Sequence, residues 1–129
     1  MTPTLPDPAT LLPLTPATYH ILLALATGER HGYGIMQETA ALSEGVLRLG
    51  PGTLYSTLKR MLADRLIEET AERPDPALDD ARRRYYALTG FGRQVLAAET
   101  ARYARLVAHA QQQPGSALGT LVVSTGRTA

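Results

Sequence analysis

The sequence predicts a mainly α, α+β domain in which three short helices precede a two-stranded hairpin and one long helix follows it. Three observations carry this reading. Apolar residues recur at helical spacing in four separate windows. Two short stretches alternate in the β manner on either side of a Pro- and Asp-rich loop. Thr-Pro, Gly and Pro-Gly punctuate the boundaries between these segments.

Taken in order, residues 1–15 are rich in Pro and Thr and are expected to form a flexible N-terminal arm. Thr15-Pro16 is a helix start, a hydroxyl N-cap followed by Pro at the first helical position. The first helix should run to about Ala26, with Tyr19, Leu22, Leu23 and Ala26 as its buried stripe, and Thr27-Gly28 ends it. Gly32 and Gly34 turn the chain into a second helix, Gly32 to Ser43, with Ile35, Met36, Thr39 and Leu42 at helical spacing. Gly45 and Gly50 bracket Val46-Leu47-Arg48-Leu49, whose alternation predicts a short strand.

Pro51 opens a third helix that reaches Asp64. Leu54, Leu58, Met61 and Leu62 share one face, whereas Thr53, Ser56, Lys59, Arg60 and Ala63 share the other. Leu66 to Thr70 reads as a strand, residues 73–82 as a loop, and Arg83 to Leu88 as the returning strand, with the Arg84, Tyr86 and Leu88 side buried. Thr89 caps a final helix from Gly90 to Gln113, and a weakly ordered tail is expected over 114–129. The domain division is therefore an arm at 1–15, a helix-and-hairpin unit at 16–89, a long helix at 90–113 and the tail.

Composition narrows the function classes. Without Cys there is no disulfide, thiolate catalysis or Cys-bound metal. His20, His31 and His109 lack metal-ligand spacing, and no nucleophile elbow, phosphate loop or paired-carboxylate set occurs, so neither an enzyme nor a cofactor is expected. The longest apolar runs, such as Ile21 to Ala26, fall far short of the ~18 residues that suggest a membrane span. A cytoplasmic protein is expected.

The net charge of +1 conceals a pattern. Lys59, Arg60 and Arg65 against Asp64 give residues 51–66 a charge of +2. Six acids against Arg73 give residues 67–81 a charge of −5, and six Arg against Glu99 give residues 82–105 a charge of +5. Twelve of the 13 cations are Arg, whose planar fork suits phosphates and guanines, although a GC-rich coding sequence also favours Arg.

Three helices followed by a hairpin make a winged helix-turn-helix with a long C-terminal dimerisation helix. The major groove of DNA, roughly 12 Å wide, admits one helix with short polar side chains outward, which is what the third helix offers. Along the final helix, Val95, Leu96, Tyr103, Leu106, Val107 and Ala110 form an apolar stripe that is left over once a winged-helix core is closed. Such a stripe predicts a two-fold homodimer.

The strings Tyr19-His20-Ile21-Leu22-Leu23-Ala24-Leu25, His31-Gly32-Tyr33-Gly34, Gly52-Thr53-Leu54-Tyr55 with Leu58-Lys59-Arg60, and Arg84-Tyr85-Tyr86-Ala87-Leu88-Thr89 followed by Gly92 resemble the PadR family of dimeric winged-helix transcriptional regulators. The likeness spans about residues 16–110. It implies that Thr53, Tyr55, Ser56, Lys59 and Arg60 lie near double-stranded DNA. It also implies that the turn at His31 and Tyr33 approaches a phosphate and that Arg82, Arg83 and Arg84 charge the wing. With one C-terminal helix the chain resembles the family's short members, some of which stack flat aromatic compounds between Trp side chains at the dimer centre. Here Tyr103 takes the Trp position, so a small aromatic effector would meet Tyr103 and Val107. The alternative class is a winged helix that binds another protein and no DNA.

Overall fold

The computed structural model describes residues 4–74 and 82–113, with side chains over 4–70 and 84–113. The elements are a 3-10 turn at Pro8–Leu11, α1 (Pro16–Leu25), β1 (Arg30–His31), α2 (Gly32–Leu42), α3 (Pro51–Ala63), β2 (Ile67–Pro74), β3 (Arg82–Leu88) and α4 (Gly90–Gln111). The three strands form an antiparallel sheet in the order β1-β3-β2, with Ile67 opposite Leu88 and Arg30 opposite Tyr86. The predicted mainly α architecture with a small hairpin is the observed one.

Local chemistry sets the boundaries. Thr15 caps α1 by accepting the Thr18 N–H at 3.2 Å. His31 caps α2 through Nδ1, which accepts the Gly34 N–H at 3.0 Å. Thr89 caps α4 by accepting the Gly92 N–H at 2.9 Å. At the end of α3, Arg65 adopts a left-handed φ of 62°, and the Leu66 N–H bonds the Met61 carbonyl at 3.0 Å, so the exhausted helix turns directly into β2.

The core is one cluster in which Ile21, Leu22 and Leu25 of α1 meet Ile35, Leu54, Leu58, Met61, Ile67, Tyr86, Leu88, Phe91 and Val95. Burial raises the Tyr86 phenol above its ordinary 10.0, with the Glu69 charge adding to the effect, so the hydroxyl stays protonated in the core. Close approach also matters at Gly92, where a Cβ would stand 2.0 Å from the Leu66 carbonyl oxygen. Only glycine lets α4 lie this near the start of β2.

Three expectations are corrected. The described part of the N-terminal segment is no loose arm. Leu11, Leu12 and Leu14 pack against the core, and the Leu14 N–H donates to Glu99 Oε2 at 2.8 Å, so apolar residues scattered among prolines still find partners across the fold. The stripe on α1 is rotated: Ile21, Leu22, Ala24 and Leu25 are the buried residues, because α2, α3, α4 and β3 all pack against the helix. Val46-Leu47-Arg48-Leu49 forms no strand. Ser43 Oγ accepts the Leu47 N–H at 2.9 Å, and Val46 is 89% exposed. β1 was not anticipated, since two residues carry no periodicity of their own. The loop expected over 73–82 lies largely, and the tail over 114–129 entirely, outside the described residues.

Candidate nucleic-acid interface

α3 divides cleanly. Leu54, Leu58 and Met61 are buried, while Thr53, Tyr55, Ser56, Lys59 and Arg60 are all exposed. Neither Lys59 nor Arg60 has a hydrogen bond or ion pair among the described residues, so no carboxylate neutralises this face. The Ser56 hydroxyl donates to the Thr53 carbonyl at 3.1 Å, and Thr57 Oγ1 donates to the same oxygen at 2.7 Å. The Ser56 hydroxyl therefore keeps lone pairs turned outward as acceptors. Among the described α-helices, α3 alone has an N-cap, Gly50, that supplies no side-chain bond, which leaves its first-turn N–H groups open to an anion.

The start of α2 stands beside this face. Tyr55 lies across Gly32 so closely that a Cβ there would sit 2.5 Å from the phenolic oxygen. Tyr33 is exposed. His31 is half-buried, spends Nδ1 on the α2 cap and sets its ring edge-on to Tyr85, with centroids 5.3 Å apart. That ties β1 to the wing and makes His31 a fastening for the turn. On the wing, Arg84 is exposed and its Nη1 lies 3.5 Å from Glu69 Oε1, a surface pair that screening leaves weak. Arg82 and Arg83 belong to β3, and their side chains fall outside the described set.

The apolar residues of α4 do not act as one stripe. Val95 is fully buried in the core of its own domain and Leu96 packs against that core, so Val95 is corrected from an interface residue to a core residue. The ring of Tyr103 stacks edge-on against Tyr19, 5.0 Å between centroids, with the Arg102 guanidinium 4.8 Å from its centre. Tyr19 Oη is 2.7 Å from Thr100 Oγ1. Beyond this contact Leu106 is 53% exposed and Val107 44% exposed, while Ala110 is partly covered.

Glu99 escaped the sequence reading. It is fully buried, accepts Arg102 Nε at 2.5 Å and Nη2 at 3.1 Å, and accepts the Leu14 N–H. The Arg102 bonds hold its carboxyl below the ordinary carboxylate value, and the Leu14 N–H helps them against desolvation. The one signal in the sequence was the i, i+3 spacing of Glu99 and Arg102. Among the described residues no His, Asp and Glu group could hold a metal ion, and no helix is long and apolar enough to cross a membrane.

A helix locked into the core on one side and polar and cationic on the other, followed by an antiparallel wing, defines the winged helix-turn-helix class. Within that class the model of the transcriptional regulator PadR-like family matches residues 21–98, more than half of the chain, and the chain belongs to that family. Its members are transcriptional regulators rather than enzymes. The chain is 40% identical over 77 residues to the transcriptional regulator Rv3488 of Mycobacterium tuberculosis, a match covering 60% of this chain and 65% of that protein. It is 38% identical over 86 residues to an uncharacterized 37.1 kDa protein in transposon TN4556 of Streptomyces fradiae. There the match covers 67% of this chain and 22% of the relative. Among solved structures, a PadR family transcription regulator from Clostridium difficile superposes with a TM-score of 0.63 at 24% identity, covering 76% of this chain and 97% of that one. A PadR-like transcription factor from Bacteroides fragilis gives 0.59 at 29% identity, covering 71% and 84%.

Proposed function

We propose that the chain binds operator DNA as a homodimer and regulates transcription as a ligand-responsive repressor. The observation that carries this reading is the outward side of α3, where Thr53, Ser56, Lys59 and Arg60 stand free while Leu54, Leu58 and Met61 fix the helix from behind. Inserted in the major groove, Thr53, Ser56 and Lys59 meet base edges, at ~1–3 kcal/mol of discrimination for each good pair. Arg60, Tyr55, Tyr33, the turn at His31 and the wing arginines Arg82, Arg83 and Arg84 serve the phosphate backbone. The membership reported above supports the same reading.

Pairing through the outer part of α4, where Leu106 and Val107 are exposed beside Tyr103, sets two α3 helices about one DNA turn apart, ~34 Å, and calls for a near-palindromic operator. Four to eight neutralised phosphates per dimer give a log–log salt slope of about −4 to −7. A flat aromatic effector held by Tyr103 and Val107 releases DNA if it binds the two arrangements of the dimer unequally.

The test is a gel shift on the DNA upstream of the chain's own coding sequence at two salt concentrations, with a Lys59→Glu, Arg60→Glu double variant beside the native protein. The variant is expected to lose DNA binding while remaining a dimer. Unchanged weak DNA binding together with loss of a protein partner would instead favour the interaction module. For the effector, calorimetric titration with flat aromatic compounds should give binding that Tyr103→Ala abolishes. Null titrations in both proteins end that part of the proposal.

A further inference from the structure

We propose that Arg48 is a phosphate anchor, holding the DNA backbone at the cleft between α2 and the segment leading into α3. This rests on the DNA-binding reading and adds a contact to it. The segment is held in shape by its neighbours. Ser43 Oγ accepts the Leu47 N–H at 2.9 Å, Leu47 packs against the core, and Leu49 is buried. With its neighbours on both sides turned inward, Arg48 is turned outward, and it is exposed. The guanidinium lies over Gly45, where a Cβ would be 3.1 Å from Nη2. Gly45 has a left-handed φ of 82°, so the turn leaves open the space that Arg48 occupies.

The cleft beneath is open, about 380 Å³ in volume. Met36, Ala40 and Leu49 line its apolar part, and Tyr33, Gln37 and Arg48 supply its polar groups. No Asp or Glu is among its described lining residues. Among the described residues Arg48 has no ion pair, and Glu38, the acid nearest along α2, faces Arg30 at 3.9 Å. An amide and a guanidinium with no ion pair among the described residues, around a cleft whose described lining has no carboxylate, make a donor set for an anion. Leu49 is followed directly by Gly50, the cap of α3, so the cleft adjoins the end of α3 that enters the groove. The anion in that place is a backbone phosphate at the groove edge, which fixes the register of α3 and leaves base reading to α3 itself.

Fluorescence-anisotropy titrations over a salt series test this, with mixed-sequence duplex DNA and the upstream DNA as probes. Arg48→Ala should weaken binding on the order of tenfold, equally on both probes, and should flatten the log–log salt slope by about 1 per subunit. Arg48→Lys should recover the slope but only part of the affinity, because it keeps the charge and loses the fork. Thermal melting should match the native protein for both variants. Native affinity and slope in Arg48→Ala, alongside lost binding in the Lys59→Glu, Arg60→Glu variant, would overturn the anchor and leave the DNA reading standing. A loss confined to the upstream DNA would make Arg48 a base reader and overturn the phosphate assignment. Failure of the native protein to bind either duplex at low salt would overturn the DNA reading and the anchor with it.

Discussion

α3 and α4 are both amphipathic by spacing, yet their apolar residues are spent differently. On α3 the apolar side is covered by one core, and the period of Leu54, Leu58 and Met61 reports which side that is. On α4 the same kind of spacing joins residues with two fates. Phe91 and Val95 are sealed inside the domain, whereas Leu106 and Val107 remain exposed past the point where Tyr19 of α1 meets Tyr103. A helix of 22 residues is roughly 33 Å long and outruns the domain that it packs against. Periodicity gives the direction of an apolar side and not what lies opposite it at each turn.

The largest effect that sharpens this contrast lies on α3. Leu58→Ala should cost about 2–5 kcal/mol of unfolding free energy in urea titrations, while Lys59→Ala one position later should stay within about 0.5 kcal/mol. Similar losses for the two would dissolve the two-sided description of α3. Next comes α4. Val95→Ala should cost about 2 kcal/mol whatever the protein concentration. Val107→Ala should barely move the stability of the single chain, yet weaken association measured by sedimentation. If both valines behaved alike, the division of α4 into an inner and an outer part would be wrong.

The smallest effect concerns the point where the N-terminal segment is fastened to α4. Because Arg102 depresses the folded-state value of Glu99, the stabilisation is fully present above the ordinary carboxylate value of 4.5. It is lost as pH falls through the lower folded value. Glu99→Gln should therefore lower stability at neutral pH by about 1 kcal/mol, and the gap to the native protein should narrow below pH 4.5. A gap that stays constant down to acid unfolding would show that the charge of Glu99 contributes nothing.

Much of the candidate interface is legible in the sequence. Helical period alone places Thr53, Ser56, Lys59 and Arg60 together, and the structure exposes all four. Alternation puts Arg84, Tyr86 and Leu88 on the buried side of their strand; Tyr86 and Leu88 are buried there, whereas Arg84, farther along the wing, is exposed. The alternation of Leu47 and Leu49 around Arg48 predicts a strand. The alternation was real, but a Ser43 hydroxyl, rather than a neighbouring strand, takes up the backbone. The seating of Tyr55 over Gly32 joins two elements that the sequence treats separately.

What the sequence determined by itself is what short-range chemistry decides. Thr15, His31 and Thr89 cap helices through bonds reaching three residues, and the third helix shows its polar side through a repeat of under four. Tertiary structure alone decided that the proline-rich beginning is packed, that Glu99 is buried and that Val95 belongs to the core. The reason is separation along the chain: the bond from Leu14 to Glu99 spans 85 residues, and no local period encodes a contact that exists only once α1 and α4 have met.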